Sequence, residues 1–184
     1  MTIPSSRTAE AMRHCALFVL LLLMLPGAQG QNKKEQFKIY GKILVESSQR
    51  CLKGAQITIE NTNRRTAETI VATRGKYKAY LEYGYVFRLI YSYDGYVTKV
   101  VEVDTRDVPP AMQLKQSMEI EVDLFEHIPG LNMSVMRAPL SRARYKRTTL
   151  NMGWDTDYYR QRLAEIEAER ARARANRNQG SSDR

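Results

Sequence analysis

Few residues in this chain are suited to chemistry. Beyond the first thirty residues there is one histidine, His127, and one cysteine, Cys51. A catalytic zinc site takes three protein ligands around an open position. One histidine beside scattered carboxylates does not supply them. No GxSxG elbow, GxGxxG fingerprint or phosphate loop occurs, and Ser, Cys51 and His127 show no triad spacing. His127 follows Glu126 and precedes Ile128-Pro129-Gly130, which suits the exit from a last strand. Cys51 has no nearby histidine to activate it, so it is expected at a turn; an intermolecular disulfide or a reactive thiol is the sharper alternative. Glu119, Glu121 and Asp123 alternate with apolar residues, which puts them on the wet face of a strand and not in a carboxylate dyad. This inventory predicts a chain that is not an enzyme and that holds no cofactor or metal.

The remaining chemistry is that of charge. The chain carries a net charge of +9. Residues 31–136 hold 15 Lys and Arg against 13 Asp and Glu, whereas residues 137–184 hold 12 against 6. A nearly neutral body is therefore followed by a cationic extension. In residues 135–150, Arg137, Arg142, Arg144, Lys146 and Arg147 interleave with Val135, Met136, Pro139, Leu140 and Tyr145. That pattern fits a strand-like arm lying along the body, or a docking strip for an anionic surface or acidic partner. Pairing with the acidic face of 118–124 is a further option. Aromatic residues do not interleave with the arginines that follow, so no nucleic-acid contact is expected.

The elements that position these residues are mostly strands. Ile39, Gly41, Ile43 and Val45 share one face of a first strand. Short strands follow at 57–59, 69–73, 77–81, 86–93 and 96–103. The clearest alternation is in the seventh, where Met118, Ile120, Val122 and Leu124 face one side. Gly54, Gly75 and Gly95 punctuate the run as structural turns. Seven short strands with frequent turns predict an all-β, Greek-key, transthyretin- or Ig-like sandwich.

A charged α-helix is predicted over 155–176, with coiled-coil character. Asp155, Thr156 and Asp157 cap its start, alanines raise its propensity, and Glu167–Arg170 and Glu169–Arg172 stand one turn apart. Tyr159, Leu163 and Ile166 form a short apolar stripe, so the first two turns are expected to dock while the rest projects into water. Residues 177–184 have the composition of a disordered tail.

At the other end, residues 1–30 have the pattern of a secretory signal. Arg7 and Arg13 precede an apolar run from Cys15 to Leu25, and Ala28-Gln29-Gly30 supplies small residues before a cut at Gln31. The run is short for a bilayer span; an uncleaved anchor is the alternative. The expected organisation is therefore a signal at 1–30, a polar linker at 31–36, a sandwich at 37–126, a basic arm at 127–154, the helix and the tail. No membrane span is expected after cleavage. Asn132-Met133-Ser134 is a glycosylation sequon that matters only in a eukaryotic secretory pathway.

Four short stretches carry a family resemblance: Gly41-Lys42-Ile43, Leu52-Lys53-Gly54-Ala55, Thr73-Arg74-Gly75-Lys76-Tyr77 and Asp94-Gly95-Tyr96. On these, residues 37–125 resemble the carboxypeptidase regulatory-like family, transthyretin-like sandwiches common in exported proteins of Bacteroidota. Cys51 stands where that family usually has proline, and the usual acidic residue near Thr73 is absent. The later phrase Leu124-Phe125-Glu126-His127-Ile128-Pro129-Gly130-Leu131 also resembles small exported proteins of this type. The resemblance implies a seven-stranded sandwich without peptidase activity, placed in the periplasm or at the outer membrane.

The resulting expectation is an envelope adaptor that contacts a protein partner, with an anionic surface or glycan as further possible contacts. Arg142, Arg144, Lys146, Arg147, Tyr159, Leu163, Ile166 and Arg170 are the candidate interaction residues. The alternative is a glycan-binding module in which Tyr83, Tyr85, Tyr91, Tyr93 or Tyr96 stack on sugars. Two or three coplanar exposed rings would favour that alternative; burial of the rings would favour a scaffold.

Overall fold

A computed structural model describes residues 35–114 and 116–182 of the chain. The proposed signal, the first four linker residues and the last two residues lie outside the described part. The chain is a two-sheet β-sandwich of ten strands followed by one long helix. The strands are β1 (Gln36–Val45), β2 (Gln56–Asn61), β3 (Thr66–Val71), β4 (Lys76–Glu82), β5 (Val86–Ser92), β6 (Lys99–Asp104), β7 (Ser117–Glu119), β8 (Val122–Leu124), β9 (Ser141–Lys146) and β10 (Asn151–Trp154). A single helical turn, α1 (Pro110–Gln113), precedes β7, and α2 (Thr156–Ser182) closes the chain.

The sheets are unequal. The larger runs β10-β9-β6-β5-β2-β3. In the smaller, β1 pairs antiparallel with β4 on one side and parallel with β7 and then β8 on the other. The inner faces form one core that includes Phe37, Ile39, Ile57, Leu81, Leu89, Tyr91 and Leu124. Period-two alternation drives this arrangement, since β2, β4 and β5 bury every second residue.

The turn motifs act as clamps on β1. The Ile43 N–H donates to the Gly75 carbonyl at 2.9 Å, and the Ile43 carbonyl accepts from Leu52 N–H at 2.8 Å. Both motif turns therefore close on one residue. Gly54, Gly75 and Gly95 take positive φ of 81°, 76° and 78°. Gly75 is doubly constrained, because a Cβ there would lie 2.5 Å from Cys51 Cβ. The third turn holds the end of β8: the Gly95 carbonyl accepts from His127 N–H at 2.9 Å, and Tyr96 bridges to Glu126.

Between β7 and β8 the chain comes very close to β1. A Cβ on Gly41 would stand 2.1 Å from the Ile120 carbonyl oxygen. That oxygen accepts the Tyr77 hydroxyl at 2.9 Å, and the Tyr77 and Tyr91 hydroxyls bond to each other at 2.7 Å. Burial pushes both phenols up, so both remain neutral donors.

Three expectations change. The seventh strand is split in two. The segment 127–154 is not a peripheral arm throughout: β9 joins the larger sheet parallel to β6, and β10 folds back on β9. Ala143, Tyr145 and Met152 enter the core, so this alternation was a strand signal. The basic residues pair away from the acidic face of 118–124, with Arg142 on Glu102 at 3.2 Å and Arg144 on Asp155 at 3.4 Å. Finally, α2 runs through Ser182 instead of yielding to a disordered tail at 177; the alanine-rich 171–175 stretch sustains the helix into it.

Removing the hydroxyl in Tyr77→Phe should cost about 1–3 kcal/mol in urea unfolding, because it orphans a buried carbonyl. Gly41→Ala should cost about 3 kcal/mol, since its methyl meets backbone and not a flexible side chain. A Gly41→Ala protein of unchanged stability would refute the close approach of β1 and Ile120.

Candidate interaction cleft

The helix is held to the sandwich mainly through charged side chains. Asp155 starts it by accepting Tyr158 N–H at 3.1 Å. The Tyr158 hydroxyl donates to the Pro139 carbonyl at 2.8 Å, and Arg142 lies 4.0 Å over the Tyr158 ring. One turn on, buried Arg162 donates to the carbonyls of Pro139 and Val135 and pairs with Glu165. Glu169 accepts the Asn132 N–H at 2.9 Å and pairs with Arg172.

The last of these anchors is Arg170, only 7 % exposed. Its guanidinium reaches both Glu46 oxygens, at 2.5 and 3.2 Å, and Glu167 at 2.8 Å. It stacks 4.1 Å from the Phe125 ring, while Lys99 approaches the same ring at 5.4 Å. Burial works against the Arg170 charge, but Glu46 and Glu167 outweigh it and raise its pKa. Burial lowers that of Lys99, although Glu46, 3.9 Å away, opposes the shift. A second apolar cluster lies under these contacts: Val97, Phe125, Leu131 and Met136 receive Ile166 and Ala173 from α2.

Docking therefore continues well past the first two turns. The buried positions 162, 166, 170 and 173 follow the helical period, but two of them are arginines. An apolar-stripe reading could not see them. Sequence reasoning likewise missed Arg162, Glu46, Lys99 and Phe125; the signal was their spacing only after the partners were known.

The candidate residues divide accordingly. Arg142, Arg144, Ile166 and Arg170 are spent on internal contacts. Lys146 packs beside Gly153 on β10, and Arg147 is exposed in the turn after β9. Tyr159 and Leu163 remain 40 % and 38 % exposed. They stand at one wall of a cleft of about 420 Å³. Its other wall is the β7–β8 strand with Glu119, Glu121 and Asp123; its floor includes Val101, Ser141 and Trp154. Among the described residues no three His, Cys, Asp or Glu side chains converge as a metal site would require, and no helix is long and apolar enough to cross a membrane.

No family model matches the chain, and no curated protein matches it. Solved structures do. Catechol 1,2-dioxygenase from Acinetobacter sp. ADP1 is similar at 11% identity and a TM-score of 0.38, over 55% of this chain and 56% of that one. A membrane-associated protein of unknown function from Bacteroides fragilis is similar at 19% identity and a TM-score of 0.35, over 50% and 28%. A C-terminal fragment of the pilus adhesin SpaC from Lactobacillus rhamnosus GG is similar at 14% identity and a TM-score of 0.37, over 51% and 46%. The chain spans little more than half the length of the dioxygenase. These comparisons correct one expectation. The sequence was read as that of no enzyme, yet similar structures include catechol 1,2-dioxygenases, which are enzymes.

Replacing Arg170 by Ala should lower stability by about 1–2 kcal/mol, between the values for an exposed and a buried pair, because Glu46 keeps contact with water. Arg170→Lys should recover little of it, because an ammonium cannot both fork to Glu46 and lie flat on Phe125. Thermal unfolding with hydrogen exchange of residues 163–175 reads the result. Equal stability in all three proteins would show that α2 is not held through this arginine.

Proposed function

We propose that the chain is an exported adaptor of the cell envelope, built on a carboxypeptidase regulatory-like sandwich, that contacts a protein partner beside α2. The observation that carries this reading is the way α2 is fixed. Buried Arg162 and Arg170 lock a long helix against the sandwich while leaving Tyr159 and Leu163 half exposed beside a cleft. A helix that served only to cover the core would be expected to bury its largest side chains first. The motifs at Gly54, Gly75 and Gly95 support the family reading, and the pattern of residues 1–30 supports export to the periplasm or outer membrane.

The glycan reading finds less support. Tyr91 is wholly buried, and Tyr83 donates its hydroxyl to the Gln113 carbonyl. Tyr93 and Tyr96 pack edge to face, with an interplanar angle of 64°. A sugar platform would want flat, parallel rings.

Photo-cross-linking in the native envelope tests the adaptor. The cross-linking residue replaces Leu163, Arg174 or Val71, the last lying on β3 at the far edge of the larger sheet. Discrete protein adducts are expected from the α2 positions and none from position 71. The absence of a discrete adduct at all three positions would sink the reading.

A further inference from the structure

We propose that the cleft between β7–β8 and α2 binds an extended, basic segment of a partner protein as an added strand of the smaller sheet. This deepens the adaptor reading and rests on it for the existence of a protein partner.

The first observation is a free strand edge. Among the described residues β7 and β8 pair only with β1. The Ile120 N–H donates to the Tyr40 carbonyl at 2.8 Å, and the Leu124 carbonyl accepts from Glu46 N–H at 2.9 Å. In a parallel ladder the intervening residues then direct their N–H and C=O the other way. Glu119, Glu121 and Asp123 thus offer a row of backbone donors and acceptors to the cleft.

The second is the facing wall. From Thr156 to Arg170, α2 covers about 22 Å at 1.5 Å per residue, and positions 117–124 cover about 26 Å at 3.3 Å per residue. Side-chain bonds stand at both ends. At one, the Gln116 side chain donates to the Leu150 carbonyl and accepts the Met152 N–H. At the other stands the Arg170–Glu46 pair. Strand edge on one side and helix on the other is the geometry in which peptides are bound by strand addition.

The third is polarity. Glu46, Glu119, Glu121, Asp123 and Glu167 line the cleft against Lys99 and Arg170. The two cations are committed to Glu46 and Glu167, and Lys42 pairs with Glu121 at 2.7 Å. Glu119 and Asp123 are in no ion pair among the described residues. In a chain of net charge +9 this local excess of carboxylates selects for cations. Below them the floor is mostly apolar. An incoming strand that alternates Lys or Arg with apolar residues satisfies both. Arg170 adds a specific donor: among the described residues its buried Nε–H, at the end of the cleft, has no acceptor, and a peptide carbonyl would fill that role.

Trp154, the chain's single tryptophan, lines the cleft and reports its occupancy. The test selects a random nonapeptide library displayed on phage against the purified exported chain, then titrates the selected peptides while following Trp154 emission. Selected sequences should alternate basic and apolar residues and shift the emission saturably, and scrambled versions should bind more weakly. N-methylation of alternate backbone nitrogens should weaken binding about tenfold through lost ladder bonds. The double variant Glu119→Lys, Asp123→Lys should weaken it similarly, with its fold checked by circular dichroism, while Arg172→Ala should not. No binders, binders without basic bias, or binders indifferent to N-methylation would each overturn the proposal. The two readings fail separately. Envelope adducts that persist under excess selected peptide remove the cleft and leave the adaptor; peptide binding without any adduct removes the adaptor and leaves the cleft.

Discussion

The rest of the structure depends on the mismatch between two sheets. Six strands on one side face three strand widths on the other, because β7 and β8 share one side of β1. An apolar sheet face has to be covered by something. Inner-facing Val101, Ala143 and Tyr145 lie in strands near the β10 edge, on the side where the smaller sheet stops. The helix and the 125–140 segment cover a separate apolar cluster beside that core, in which Ile166 and Ala173 meet Val97, Phe125, Leu131 and Met136.

The cover is thin in large apolar residues, and arginine makes up the difference. Arg162 and Arg170 each bury a long aliphatic stem while their guanidinium groups satisfy loop carbonyls or carboxylates. This gives the interface directionality that a leucine stripe would lack. A leucine helix could slide or rotate by a turn at modest loss; a helix whose arginines must meet Pro139, Val135 and Glu46 has one register. The contact at Glu46 also ties the helix to the end of β1, the strand on which the turn motifs close. Chain segments far apart in sequence therefore meet at one point near Phe125.

Much of the fold was legible in the sequence because it rests on period-two alternation and on turn glycines. Both are local signals. Ile57, Ile59, Leu89 and Tyr91 declare their faces without reference to partners. The β9–β10 hairpin was less legible. Its inward residues are few and mixed (Ala143, Tyr145, Met152), and its outward ones carry the conspicuous charges, so the segment has the pattern of an arm. The docking face of α2 was least legible of all. Its buried positions include residues that any hydropathy scale treats as solvated, and only their non-local partners explain their burial. The same holds for the cleft. The alternation of Glu119, Glu121 and Asp123 was plain, but that a helix would stand opposite their backbone edge depends on β1 pairing, which the sequence does not state.

An acidic strand edge has two uses that predict different surroundings. Charge on an edge discourages unwanted pairing between sheets, and for that purpose the edge is best left open to water, where repulsion acts at a distance. The β4 edge fits this description, with Lys76 and Lys78 outward and exposed. The β7–β8 edge does not. It faces α2 across a cleft, has side-chain bonds at both ends, and lies over Val101, Ser141 and Trp154. A second sheet cannot approach it, so charge is superfluous there as a deterrent. A single strand can lie along it, and for that strand Glu119 and Asp123 set a sign. Enclosure is thus what separates protection from selection at this edge, and it is supplied by the same helix that the unequal sheets require.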